Sequence, residues 1–196
     1  MVPKPPTKSA VQSISIAEAK AALRRQVRQQ LAAIPEEVRL AEDSVLFDAF
    51  LSLPQVQQAQ TLFLFYGVGT EPHTEVLIDR LLALGKTVAL PRMLPGHRMD
   101  VLVHTPHRPL VQNQFGLWEP DVACPSLTPE QIDLVLVPSL CYDRHNYRLG
   151  MGGGFYDRWL EHYHGITVGL CRAALLADCL PVEPHDRPVD LVITGK

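Results

Sequence analysis

Apolar residues recur at Ile16, Ala19, Leu23, Val27, Leu31 and Ile34, every three or four positions, which predicts one buried face of a helix. Ser15 and Glu18 stand three residues apart at its start and fit a capping box, in which each side chain satisfies an orphan backbone N–H. Pro35 ends that helix and can begin the next, expected to run to about Ser52 with Val38, Ala41, Val45, Leu46 and Ala49 inward. Beyond it the pattern changes period. Residues 61–66, 87–90, 99–103, 166–170 and 189–194 read as short strands, and residues 74–84, 154–163 and 173–177 as helices. The stretch IDLVLVP at 132–138 is apolar nearly throughout, as expected of a central parallel strand covered on both faces.

Strands alternating with helices predict an α/β three-layer sandwich, Rossmann-like, with a mostly parallel central sheet. No internal repeat or linker divides the chain, so the reading is one domain over residues 15–196 behind a flexible tail of residues 1–14.

Open sheets of this kind bind ligands beyond the carboxyl ends of their strands. After the most apolar strand comes YRLGMGGGFYDR, with glycines at Gly150, Gly152, Gly153 and Gly154. Clustered glycines let a ligand approach the backbone closely, and their N–H groups can converge on an anion. A helix beginning near Gly154 would add unpaired N–H groups. Arg148 offers a bidentate fork for phosphate oxygens, and Asp157 is placed to hold Mg²⁺ beside them. The spacing fits neither a Walker A loop nor G-x-G-x-x-G. Taken alone, the loop is either a phosphate cradle of another kind or a glycine-rich turn whose Asp157 favours the helix start. Lys20, Arg24 and Arg28 form a basic stripe at i, i+4 and i+8; periodicity alone makes it a solvated face.

Composition narrows the classes. The 196 residues are 46% apolar and 20% charged, enough for a sizeable core. A net charge of −3 argues against nucleic acid, so any anion site is local. The start MVPKPPTKSA has no apolar signal region and no stretch approaches a membrane span, which predicts a cytoplasmic protein without a membrane partner. Cys124, Cys141, Cys171 and Cys179 show no zinc spacing and read as buried free thiols. His97, His104 and His107 lie in a proline-bearing segment without ligand spacing and read as solvated.

The segment VPSLCYDRHNYRLGMGGGFYDRWL resembles the signature of the 5-formyltetrahydrofolate cyclo-ligase family, also called methenyltetrahydrofolate synthetases. The likeness continues in order along the chain: Lys20 and Arg24; Tyr66 and Glu71; residues 85–91; Asn113, Phe115, Gly116, Glu119 and Pro120; and Pro181, Glu183, His185 and Asp186. There are departures. Gly153 stands where some members carry Lys, Phe155 where Tyr is common, and Ser139 and Cys141 follow the Val-Pro pair in place of smaller residues.

The resemblance implies ATP-dependent cyclisation of 5-formyltetrahydrofolate to 5,10-methenyltetrahydrofolate with Mg²⁺. It implies that Arg148, Leu149, Gly150, Met151, Gly152, Gly153, Gly154, Phe155 and Tyr156 cradle ATP, with Lys20 and Arg24 reaching phosphates. Arg148 and Tyr156 would stand at the reacting centre. Glu71 would accept from the pterin, with Tyr66, Trp118 and Tyr156 lining the folate rings, and Asp157 and Asp186 would hold Mg²⁺. The expected assembly is a monomer. Two other readings of the frame are a sugar-phosphate isomerase and a non-catalytic nucleotide- or folate-binding module. The first lacks an evident acid–base pair; the second sits badly with Lys20, Arg24, Glu71, Arg148, Asp157 and Asp186 all retained together.

Overall fold

The computed structural model describes residues 15–114 and 116–195; the tail of residues 1–14 and Phe115 of the Asn113–Pro120 motif lie outside them. In chain order the elements are α1 (Ile16–Ala33), α2 (Glu36–Leu51), α3 (Pro54–Gln58), β1 (Thr61–Phe63), α4 (Thr74–Ala83), β2 (Thr87–Leu94) and β3 (Arg98–Val103). The short strands β4 (Val111–Gln112), β5 (Trp118–Glu119) and β6 (Ser126–Leu127) follow, then β7 (Leu134–Val137), β8 (Cys141–Tyr142) and β9 (Arg148–Leu149). The chain closes with α5 (Phe155–Leu160), β10 (Ile166–Cys171) and β11 (Leu191–Thr194).

The main sheet runs β11-β10-β7-β1-β2-β3-β6. Its first five strands are all parallel, and β3 and β6 extend it antiparallel. Alternation along each central strand feeds two cores. Leu62, Leu134 and Leu136 face one way and pack under α2, α3 and α4 with Leu46, Phe47, Phe50, Val56 and Leu77. Phe63, Val135 and Val137 face the other way and pack under α1 and α5 with Val27, Leu31 and Leu160. All four residues of β7 are buried, as a strand covered on both faces requires. This is a doubly wound α/β sandwich, as the strand–helix alternation predicts.

The order reverses between β1 and β7: β2 lies to one side of β1, whereas β7, β10 and β11 lie to the other. Ligand crevices form at such a switch point, because the two neighbouring loops diverge there. The loop after β1 carries Glu71, and the chain after β7 carries the glycines.

Several local expectations change. The Ser15–Glu18 capping box forms on α1, but Ile16 is exposed. On α2 the buried residues are Asp43, Leu46, Phe47 and Phe50, while Val38, Ala41, Val45 and Ala49 face solvent. Asp43 turns inward because Arg172, after β10, supplies an ion pair at 2.6 Å. The helix expected over 154–163 is only six residues long, and that over 173–177 is a 3₁₀ turn. All four cysteines are free, but Cys179 is exposed. His104 is half-buried, and burial pulls its pKa below the ordinary 6.5.

Candidate active site

The chain after β7 does not run straight into its loop. It first makes the hairpin β8–β9, with Tyr142 opposite Arg148, so Arg148 starts from a paired strand. The Ser139 hydroxyl donates to the Cys141 and Leu149 carbonyls at 2.6 and 3.0 Å and closes the base of the hairpin. The glycine loop then folds against α1. Arg24 Nε donates to the Gly150 carbonyl at 2.9 Å, and its guanidinium lies on Gly152. A Cβ on Gly152 would stand 3.4 Å from the Arg24 guanidinium carbon, and its φ of +102° disfavours any side chain. The glycine therefore lets a cation pack on the loop.

Lys20, Arg24, Arg148, Gly150, Gly152, Asp157, Glu183 and Asp186 line one open cleft of about 240 Å³. Its acids are already paired with cations. Lys20 Nζ lies 2.6 Å from Asp186 and 2.8 Å from Glu183. Burial pulls the Lys20 pKa down, but the two carboxylates outweigh it and hold the ammonium above its ordinary 10.5. Burial likewise pushes Asp186 up, and Lys20 with the Glu183 N–H overrides this and leaves the carboxyl below 3.8. Arg148, its side chain 7% exposed, is ion-paired with Asp157. Lys20 of the basic stripe is thus buried in the cleft wall, while Arg28 faces solvent. α5 is only six residues long, so charged side chains rather than a helix terminus dominate the cleft.

Glu71 lines a second, much smaller pocket of about 20 Å³ on the other side of the glycine loop. Met151 faces this pocket, whereas Gly150 and Gly152 face the cleft, so one loop forms the wall between them. The Glu71 loop is held short by close approach: a Cβ on Gly67 would run into the Pro72 carbonyl. Glu71 accepts from the Val68 N–H at 3.0 Å. Burial dominates its environment and pushes the carboxyl above its ordinary 4.5. Tyr156 stacks on Phe63 at 5.6 Å, and its buried hydroxyl has no hydrogen-bond partner. Burial first, then Glu71 and Tyr142, push that hydroxyl well above 10.0 and keep it a donor.

Two residues expected around the folate lie elsewhere. The Tyr66 ring packs on the α2–α4 side of the sheet. Burial, then Glu75 and Asp79 of α4, push its pKa up to about 12. Trp118 sits on the β4–β5 hairpin and is 40% exposed. Glu183 and Arg187 belong to the cleft although the sequence reading gave them no role. Glu183 stands in the Pro181–Asp186 motif, which is the signal that could have found it. His97, read as solvated, is exposed but packs its ring on Phe155 at 5.4 Å.

A doubly wound sheet, a cation-flanked glycine loop at its switch point and a buried carboxylate behind that loop define an α/β enzyme with two adjoining cavities. The chain belongs to the 5-formyltetrahydrofolate cyclo-ligase family, whose profile matches residues 16–195. It is similar to the 5-formyltetrahydrofolate cyclo-ligase of Haemophilus influenzae, 35% identical over 177 residues that cover 87% of this chain and 93% of that one. The cyclo-ligase of Mycolicibacterium smegmatis is 37% identical over 188 residues, 90% of this chain and 94% of that one. The solved 5,10-methenyltetrahydrofolate synthetase of Aquifex aeolicus superposes with a TM-score of 0.81 at 30% identity, covering 90% of each chain.

Proposed function

We propose that this protein cyclises 5-formyltetrahydrofolate to 5,10-methenyltetrahydrofolate at the expense of ATP. Family membership over residues 16–195 supports the reaction. The observation that carries the assignment of sites is the glycine loop with the cationic cleft on one side and the Glu71 pocket on the other. ATP phosphates would lie in the cleft against Lys20, Arg24, Arg148 and the loop N–H groups. The pterin would lie against Glu71, whose carboxylate suits the ring's N–H edge. The unpartnered Tyr156 hydroxyl is a buried donor waiting for an acceptor on the substrate side.

The formyl oxygen is a poor leaving group as hydroxide. In the proposed sequence it attacks the γ-phosphorus and ADP leaves. The product is a phosphorylated iminium at N5. N10 adds to its carbon, loses its proton, and inorganic phosphate departs with the former formyl oxygen. The protein's part is positioning and charge neutralisation, as in other phosphoryl transfers. Arg148 orients the transferred group and offsets its charge. Met151 and its neighbours keep water from the iminium.

The donor set suits Mg²⁺. Asp157 and Asp186 line the same cleft, and carboxylate and phosphate oxygens are the hard ligands that ion takes. Ligand atoms of Glu183, His185 and Asp186 also lie within 4.8 Å of one another. When bound, the ion would neutralise phosphate charge and hold the triphosphate in line. Lys20 and Arg148, now paired with these acids, would turn to the phosphates. The reading takes the enzyme as a cytoplasmic monomer, since residues of one chain supply both sites. No helix among the described residues is long and apolar enough to cross a membrane.

The test is the absorbance band of the methenyl product, with and without ATP. Growth of the band that requires ATP and matches ADP release one for one is expected. ATP hydrolysis indifferent to 5-formyltetrahydrofolate would overturn the reading.

A further inference from the structure

We infer that Asp143 is a positioning residue that sets the width of the nucleotide cleft. It does so by tying the hairpin that carries Arg148 to the loop that carries Glu183 and Asp186. The inference rests on reading that cleft as the ATP site.

Asp143 is 1% exposed and lies outside both pockets. Its Oδ1 accepts from the His145 N–H at 2.9 Å and the Tyr147 N–H at 3.0 Å, which shapes the turn between β8 and β9. Its Oδ2 accepts from the Leu180 N–H at 2.9 Å. One carboxylate thus serves both the hairpin's own turn and a separate segment 37 residues away. The next residues after Leu180, from Pro181 to Asp186, form the acidic wall of the cleft. The far end of that wall returns to the same hairpin. Arg148 Nη1 donates to the Arg187 carbonyl at 3.3 Å, and the Val189 N–H donates to the Asn146 carbonyl at 3.0 Å. Both ends of the acidic loop are therefore fastened to the strand pair that presents Arg148, and the near end hangs chiefly on Asp143. A parallel bridge of Asp143 with Ala177, through Ala177 N–H to Tyr142 and Arg144 N–H to Ala177, guides the approach.

The chemistry explains why a carboxylate stands here. Three backbone donors converge on one side chain, and only Asp offers acceptors on both oxygens at this length. Asn would turn an NH₂ group toward a backbone N–H and lose at least one tie. Phosphate positioning is sensitive to small shifts, because catalysis here is geometry more than covalent help. The Glu71 pocket meets this hairpin only at its base, through Ser139, Leu140 and Met151, away from the Asp143 turn, so folate recognition should feel the change far less.

The experiment is Asp143→Asn, with KM measured separately for Mg·ATP and for 5-formyltetrahydrofolate, and folding checked by thermal melting. The expected result is KM for Mg·ATP raised about tenfold or more, with KM for folate within about twofold. An unchanged KM for Mg·ATP in a folded variant overturns the inference, and so does an equal rise in both constants. Should the variant fail to fold, amide hydrogen exchange on the unaltered protein decides. The His145, Tyr147 and Leu180 amides should be protected and slow together when Mg²⁺ and a non-hydrolysable ATP analogue are added. A Leu180 amide indifferent to the nucleotide overturns it. Failure of the underlying reading shows separately, as absence of ATP-dependent product from the unaltered enzyme.

Discussion

The cleft and the Glu71 pocket lie on either side of one loop and are built on opposite principles. The cleft is roomy, and its acids stand paired with cations: Asp186 and Glu183 with Lys20, Asp157 with Arg148. The pocket is far smaller, at about 20 Å³ against about 240 Å³, and its acid has no cation to offset its burial. Arg172 lines that pocket, yet its guanidinium turns away to the Arg39 carbonyl, Glu42 and Asp43. A site for a highly charged, flexible ligand can exchange ion-pair partners when the ligand arrives. A site for a flat ring needs a fixed acceptor and must make room for the ring.

Breaking the cleft side should have the largest effect. Arg148→Ala removes a nearly buried guanidinium and leaves Asp157 unpaired in the phosphate site. Loss of charge-assisted bonds at ~1.5–3 kcal/mol predicts ATP affinity reduced by about one to two decades, read by calorimetry on the folded variant. Folate affinity should hold. An unaltered ATP titration would remove Arg148 from the cradle.

Breaking the pocket side should invert the pattern. Glu71→Gln keeps the size and the acceptor for Val68 but removes the charge. KM for 5-formyltetrahydrofolate should rise about tenfold, by ~1.4 kcal/mol, with KM for ATP unmoved. A defect confined to ATP would show Glu71 on the wrong ligand.

The metal distinguishes the two sites more gently. Asp157→Asn and Asp186→Asn should each raise the Mg²⁺ needed for half-maximal turnover by about three- to tenfold, since Mg²⁺ keeps its phosphate and water ligands. Chelation should abolish turnover while leaving folate binding intact. Equal Mg²⁺ titrations in variant and parent would count against the carboxylate ligands.

The smallest effect is on stability. Glu71 is raised in the folded state, so folding binds the proton more tightly than the unfolded chain does. Its contribution therefore turns unfavourable as pH rises above 4.5, and stays so above the folded pKa. Glu71→Gln should melt higher than the parent at neutral pH and alike well below pH 4.5. Identical melting curves at neutral pH would mean that the carboxylate is better solvated than its burial indicates.

The legible and illegible features divide along a physical line. Signals carried by neighbours in sequence were readable: the Ser15–Glu18 box, the all-buried strand β7 and the glycine loop's position after it. Features made by distant partners were not. The pattern places Val38, Ala41, Val45, Leu46 and Ala49 inward on α2; of these only Leu46 is buried, because Arg172, far along the chain, pulls Asp43 inside, and Phe47 and Phe50 follow it. The two-residue strands β4, β5, β8 and β9 exist only through their pairing. Tyr66 precedes the Glu71 loop, yet its side chain goes to the far core with Leu64 and Phe65, because the chain leaves the strand after Phe63 and strict alternation ends. Lys20, Arg24, Arg148, Asp157 and Asp186 were each nameable, while the ion pairs that join them across 166 residues were not.

The central claim is that the formyl oxygen receives the γ-phosphoryl group across the glycine loop. It is tested most directly with 5-formyltetrahydrofolate carrying ¹⁸O in the formyl group, incubated with enzyme, ATP and Mg²⁺. The account predicts one ¹⁸O in each inorganic phosphate released, in step with methenyl product. Product formed with unlabelled phosphate, the label leaving as water, would contradict it.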